Sequence, residues 1–143
     1  MRLVVDTSVL VGELLRRSGR ERLGDDRLEL FLPERMWGEA QVELPRRITA
    51  FVRRRSLEVT VGDTLARLCL DAVEANVVIL DEAIYAAAEA EARARSLRDP
   101  DDWPVVASAV ALSAAIWTND NDFLGTGVAT WTTQTLQALL DRS

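Results

Sequence analysis

The chain contains no histidine. That absence removes His-based triads, His general bases and the usual His-containing zinc sites in one step. There is no lysine either: all 17 basic residues are arginine. P-loop lysine chemistry and Schiff bases are therefore excluded. One cysteine, Cys69, cannot form an internal disulfide, which fits a reducing compartment. No apolar run approaches the length that spans a bilayer. The N-terminus enters a strand directly, without a basic stretch and a long apolar core, so the expected location is the cytoplasm, away from the membrane. Any catalysis must rest on carboxylates, hydroxyls, arginines and metal ions.

What is present is ordinary for a globular protein. The 143 residues are 48% hydrophobic and 28% charged, which is enough for one domain, 1–143, with a real core. A net charge of −6 argues against general nucleic-acid affinity over the whole surface. It leaves room for a local basic patch and for acidic residues gathered at a metal site.

The pattern alternates strands with helices. Short apolar runs predict strands at Leu3–Val5, Leu28–Leu32, Asn76–Leu80, Ala114–Thr118 and Val128–Trp131. Helices are expected after Thr7 or Ser8 as cap, over Glu34–Leu44, and over Arg46–Arg55 beyond a kink or break at Pro45. Further helices are expected over Asp63–Glu74, Asp81–Arg95 and Asp102–Ser113, and from Thr132 or Thr133 through Leu140. Ser18–Asp26 reads as a charged loop, Leu97–Asp101 as a loop, and Gly125 with Gly127 as a turn. Such alternation implies an α/β fold: a central, mainly parallel sheet with helices on both faces.

Carboxylates recur where the ligand-binding end of that sheet should be, beyond the carboxyl ends of the strands. Asp6 follows the first strand, and Asp120 and Asp122 follow the run Ala114–Thr118. If those two strands are parallel neighbours, Asp6 and Asp120 meet. Glu39 lies on the helix after Pro33, with Glu43 one turn on as the competing choice. The run Asp99-Pro100-Asp101-Asp102 precedes another helix. Each has a plain structural explanation: Asp6 as a helix cap, Glu39 as a solvated surface residue, one of the 99–102 acids as a cap, Asp120 and Asp122 as turn residues. Their convergence is what carries information. A like-charged pair at about 4 Å and an effective dielectric near 20 costs roughly 4 kcal/mol, so a persistent cluster implies a neutralising cation. Oxygen donors without nitrogen or sulfur favour Mg²⁺ or Mn²⁺, and the natural chemistry is phosphodiester hydrolysis with metal-activated water.

Four stretches carry a family resemblance: "VVDTSVLV" (residues 4–11), "LPERMWGEAQVEL" (32–44), "RDPDDWPVVASAVAL" (98–112) and "AIWTNDNDFLGTG" (115–127). With them the chain resembles PIN-domain ribonucleases and, among bacterial members, VapC-type toxins. The resemblance implies a PIN-like fold and RNA as substrate. It maps the catalytic acids onto Asp6, Glu39, Asp102 and Asp120, the metal ligands onto Asp6, Asp102, Asp120 and Asp122, and accessory positions onto Asp99 and the strand-end Thr118. It also implies an antitoxin partner and a homodimer. Thr7, Ser8, Asn119 and Asn121 are expected as backbone or supporting partners.

Other residues read less sharply. Arg46, Arg47, Arg53, Arg54 and Arg55 form the dense basic patch, with Arg46, Arg53 and Arg54 as RNA-contact candidates against a solvated helix face. Cys69, Trp117 and Trp131 read as core; Trp103, beside the acidic run, is open between core packing and base stacking. Two rivals stand beside a nuclease. One is a PIN-like scaffold that binds RNA or protein without turnover. The other is a phosphatase or phosphoacceptor with Asp6 as nucleophile, which lacks its usual lysine and a second acid two residues on.

Overall fold

A computed structural model describes residues 1–142. Five parallel strands form one sheet in the order β3-β2-β1-β4-β5: β1 Arg2–Val5, β2 Glu29–Pro33, β3 Val77–Leu80, β4 Ala115–Trp117 and β5 Thr130–Trp131. The central strand β1 is apolar from Leu3 to Val5 and fully buried there, as a strand covered on both faces must be. β2 alternates as its sequence suggests: Leu30 and Leu32 are buried and Glu29 is exposed.

The helices are α1 Thr7–Leu14, α2 Arg17–Leu23, α3 Glu34–Arg54, α4 Val59–Asn76, α5 Glu82–Tyr85, α6 Glu89–Arg95, α7 Trp103–Leu112 and α8 Thr133–Asp141. From β1 to β3 the chain steps one way across the sheet, and from β3 to β4 it steps back. Right-handed crossovers then put α1–α4 on one face and α5–α7 on the other. The packing agrees: α1 lies against α2, α3 and α4, whereas α7 covers β1, β2 and β4 beside α5 and α6. The sequence of α7, WPVVASAVAL, explains its place, because its small apolar side chains allow close approach and Trp103 to Ala109 are all buried. No helix among the described residues is long and apolar enough to cross a membrane.

Several local expectations fail, each for a tertiary reason. Ser18–Asp26 is not a loop: its first part is α2. Glu13 on α1 is wholly buried and takes salt bridges from Arg16 at 2.5 Å and from Arg22. Arg20 closes the end of α1 by donating to the Leu14 carbonyl at 2.7 Å. Gly19 sits so close that a Cβ would run into the Glu13 backbone. Arg20 and Arg22 of α2 thus have partners on α1 that no local pattern displays.

Pro45 does not break its helix. α3 runs unbroken through it, because Leu44 and Ile48 on either side are buried and hold both halves against their neighbours. Asp81–Arg95, in contrast, is not one helix; a 3-10 turn at Ala86–Ala88 separates α5 from α6, letting Tyr85 and Ala92 both reach the core. The last strand is only two residues long. Residues 100–102 form a 3-10 turn capped by the Asp99 carboxylate rather than an open loop. Gly125 and Gly127 adopt φ of +87° and +80°, the turn conformation expected of them. Thr132 caps α8 in a reciprocal box with Thr135.

Candidate active site

The strand order reverses between β1 and β4, and this is where an open α/β sheet leaves a crevice. Val5 pairs with Trp117, and the Asp6 amide continues the ladder by donating to the Trp117 carbonyl at 2.9 Å. The next residues out are Asp6 and Thr118, side by side. The Thr118 hydroxyl donates to Asp6 Oδ2 at 2.9 Å and accepts from the Asp120 amide at 3.0 Å. Ser8 Oγ donates to the same Asp6 oxygen at 3.2 Å. Two adjacent strand ends are thereby locked into one unit.

Asp6 occupies the N-cap position of α1, yet its side chain makes no cap hydrogen bond. Neither Thr7 nor Ser8 caps the helix. The carboxylate is instead turned into the crevice and is only 8% exposed. Asp102 likewise stands at the N-cap of α7 without capping it. The other acids do local work as well: Asp99 Oδ1 accepts from the Asp101 amide at 3.1 Å, and Asp120 Oδ1 accepts from the Asp122 amide at 2.9 Å.

Asp6, Glu39, Asp99, Asp102 and Asp120 line one cleft of about 350 Å³, with Thr7, Ser8 and Glu43. Glu39 projects from α3 at the exposed rim. Asp122 does not line the cleft; it lies 3.9 Å from Arg98. Thr118 lies beneath, buried, as a support for Asp6 and Asp120. Asn119 belongs to the scaffold, since its side chain accepts from the Thr133 amide at 2.9 Å and ties β4 to α8. Among the described residues, no three acidic or cysteine side chains are drawn together as a ready-made metal site.

The electrostatics are those of a crowded acidic cleft. Burial, then Asp99, Asp6 and Asp120, push the Asp102 carboxyl up to about 7. Burial raises Asp6, opposed by the Thr118 and Ser8 hydroxyls and assisted by Asp120. Glu39 is raised by burial and then by Asp101, Asp6 and Asp99. Six carboxylates, with one arginine and only the weakly ligating thioether of Met36 beside them, suit a hard divalent cation. Thr7 Oγ1, buried at this cleft, has no hydrogen-bond partner among the described residues.

A family model for the PIN domain matches residues 4–141. The chain belongs to the PIN domain family. PIN domains are in general metal-dependent nucleases, so nucleic acid is the substrate class and a divalent cation the usual cofactor of this family. No curated protein matches the chain.

The basic residues are arranged differently from the sequence expectation. Arg46 and Arg54 are exposed on α3 outside the cleft, and Arg53 lines a separate apolar groove of about 560 Å³ between α3 and α4. Arg47 is the arginine on the acidic cleft, 3.8 Å from Glu43. Helical spacing from Glu39 through Glu43 to Arg47 was the signal that could have found it. Trp103 is buried core, with the Arg35 and Arg93 guanidiniums over its ring at 5.1 and 5.3 Å and Tyr85 at 5.7 Å. Trp117 and Cys69 are buried and Trp131 is half-buried against the core.

Proposed function

We propose that this PIN-domain protein is a Mg²⁺- or Mn²⁺-dependent ribonuclease that hydrolyses RNA phosphodiester bonds. The observation that carries the proposal is Asp6: a buried carboxylate, freed from helix capping, held by two hydroxyls and facing other acids. In this reading Asp6, Asp102 and Asp120 hold the ion, Asp122 stands by, and Glu39 completes the acidic set from α3. Bound there, a divalent cation would supply charge neutralisation and a water activated for attack on phosphorus. Thr118 fixes the orientation of the Asp6 carboxylate before substrate arrives. Burial and then the neighbouring acids raise the Asp102 carboxyl to about 7 in the metal-free chain, and a bound cation would favour its charged form. Asp99 holds the turn that delivers Asp102.

RNA rather than DNA, and the role of a toxin restrained by a small antitoxin in a cytoplasmic homodimer, rest on the likeness of the four motifs to VapC-type toxins. The separation of the carboxylates favours one rival, a PIN-like scaffold that binds without turnover.

Purified protein incubated with single-stranded and structured RNA, with and without Mg²⁺ or Mn²⁺, separates them. Cleavage should require the ion and stop in EDTA. Asp6→Asn and Asp120→Asn should each lose activity by about a hundredfold or more while staying folded. Cleavage by metal-free, contaminant-controlled protein would rule the mechanism out. RNA binding without cleavage at any metal concentration would identify the scaffold. Growth arrest on induction of the wild type, absent with Asp120→Asn, is the corresponding test of the toxin role.

A further inference from the structure

A cleft lined by six carboxylates repels the phosphates of any nucleic acid that approaches it. A bound cation offsets part of this charge, but it acts only at its own position. Among the cleft-lining residues one side chain carries fixed positive charge, and it is Arg47. We propose that Arg47 positions the substrate by gripping a backbone phosphate next to the one being cut, with Glu43 holding its guanidinium in place until substrate arrives.

The inference rests on the nuclease reading above and follows from the register of α3. Met36, Glu39, Glu43 and Arg47 recur at helical spacing and all line the cleft. Arg47 stands two turns beyond Glu39, roughly 12 Å along the axis at 1.5 Å per residue. That backbone offset sets Arg47 at the end of the row of acids and not among them, which suits a phosphate next to the reacting one. Side chains on a helix lean toward its N-terminus, so Arg47 leans back toward the acids. Its 3.8 Å approach to Glu43, one turn before it, shows that orientation. Both partners are about half exposed, at 51% and 46%, so the pair is weak enough for a phosphate to displace the carboxylate. A guanidinium also offers the forked donors that a phosphate accepts.

The test compares Arg47→Gln, Arg47→Lys and a matched charge loss, Arg2→Gln, at the opposite end of β1. Cleavage kinetics with metal, and binding of a labelled single-stranded RNA by anisotropy across a salt series, are measured together with melting temperatures. Arg47→Gln should raise KM and Kd about tenfold, as loss of a charged hydrogen bond does, with kcat within about twofold. The slope of log Kd against log salt should fall by about 0.7, the loss of one phosphate contact on a single strand. Arg47→Lys should lie between, and Arg2→Gln should stay near wild type. Arg47→Gln matching Arg2→Gln in KM, Kd and slope would overturn the proposal while leaving the nuclease intact, as would a fall in kcat with KM unchanged. A wild type that binds RNA without cutting it would sink the nuclease reading, and Arg47 would then stand or fall on Kd and slope. A wild type that neither cuts nor binds would end both.

Discussion

Two buried carboxylates lie at opposite ends of one short helix and are treated in opposite ways. Glu13, near the end of α1, is wholly buried and sits between Arg16 and Arg22. Asp6, just before α1, is nearly as buried and has hydroxyls for company and acids for neighbours. The fold can evidently bring an arginine to a buried acid where it needs a neutral pair. At the crevice between β1 and β4 it supplies hydrogen bonds that orient the carboxylate and leaves the charge unmatched. Unmatched charge is costly in the free protein and useful only if something positive binds. The contrast therefore separates an acid that holds structure together from acids set aside for a ligand.

The largest expected effect breaks the structural half of this pair. Glu13→Ala leaves Arg22, itself mostly buried, without its carboxylate, and also frees Arg16 and loosens α2. Removing one member of such a pair typically costs about 3–5 kcal/mol. Urea denaturation should show a lower midpoint with an unchanged slope. A loss below about 1 kcal/mol would mean that Glu13 and Asp6 are not as different as their surroundings imply.

This contrast also marks what the sequence could and could not reveal. Asp6 and Asp120 were legible because strand ends are announced by short apolar runs, and parallel neighbours follow from alternation with helices. The order of the sheet then puts them at the reversal point. Glu13 was invisible, since nothing local distinguishes a buried glutamate from a solvated one on a charged helix. Its partners hid in a stretch whose glycines and charges imitate a loop. Thr118 was marked by the family resemblance alone; its bond to Asp6, which spans 112 positions of chain, leaves no local trace. Arg47 was seen only as part of a basic patch, because choosing among Arg46, Arg47, Arg53 and Arg54 requires the rotation of α3 against α1. Pro45 misled for the complementary reason: a local penalty was outweighed by burial on either side.

A second, smaller effect sharpens the acidic half. Asp102 is protonated more readily in the fold, at about 7, than in the unfolded chain near 3.8. Between those values the folded state binds more protons, so stability of the metal-free protein falls as pH rises from about 4 to 7 and stays reduced above. Asp6 and Glu39 act in the same direction. The full Asp102 shift is worth about 4 kcal/mol, which solvent screening at this half-open position reduces to about 1–2 kcal/mol. Denaturation in EDTA at pH 5.5 and pH 8 should reveal the difference, and Asp102→Asn should shrink it by raising stability at pH 8. Equal stability at both pH values would show that neither burial nor the neighbouring acids raise these carboxyls.

The smallest effect concerns the bond that joins the two strand ends. Thr118→Val keeps the shape of a buried side chain and removes its hydroxyl. The donor to Asp6 and the acceptor for the Asp120 amide are lost together. That hydroxyl holds Asp6 toward its charged form, so its loss raises the Asp6 carboxyl further. By the same linkage the variant should lose more stability at pH 8, where Asp6 must ionise, than at lower pH, where its protonated form is favoured. The extra loss should be about 1 kcal/mol, the usual net value of one such bond. Thr118→Ser retains the hydroxyl and should keep the wild-type pH dependence while paying only for a missing methyl group. The measurement is metal-free denaturation of both variants at the two pH values, beside their cleavage rates with metal. If valine and serine show the same pH dependence, the hydroxyl does not orient Asp6, and the crevice owes its geometry to the backbone alone. If valine shows the extra loss of stability at pH 8 and loses cleavage while serine does neither, Thr118 does at Asp6 what Arg22 does at Glu13, by orientation instead of neutralisation.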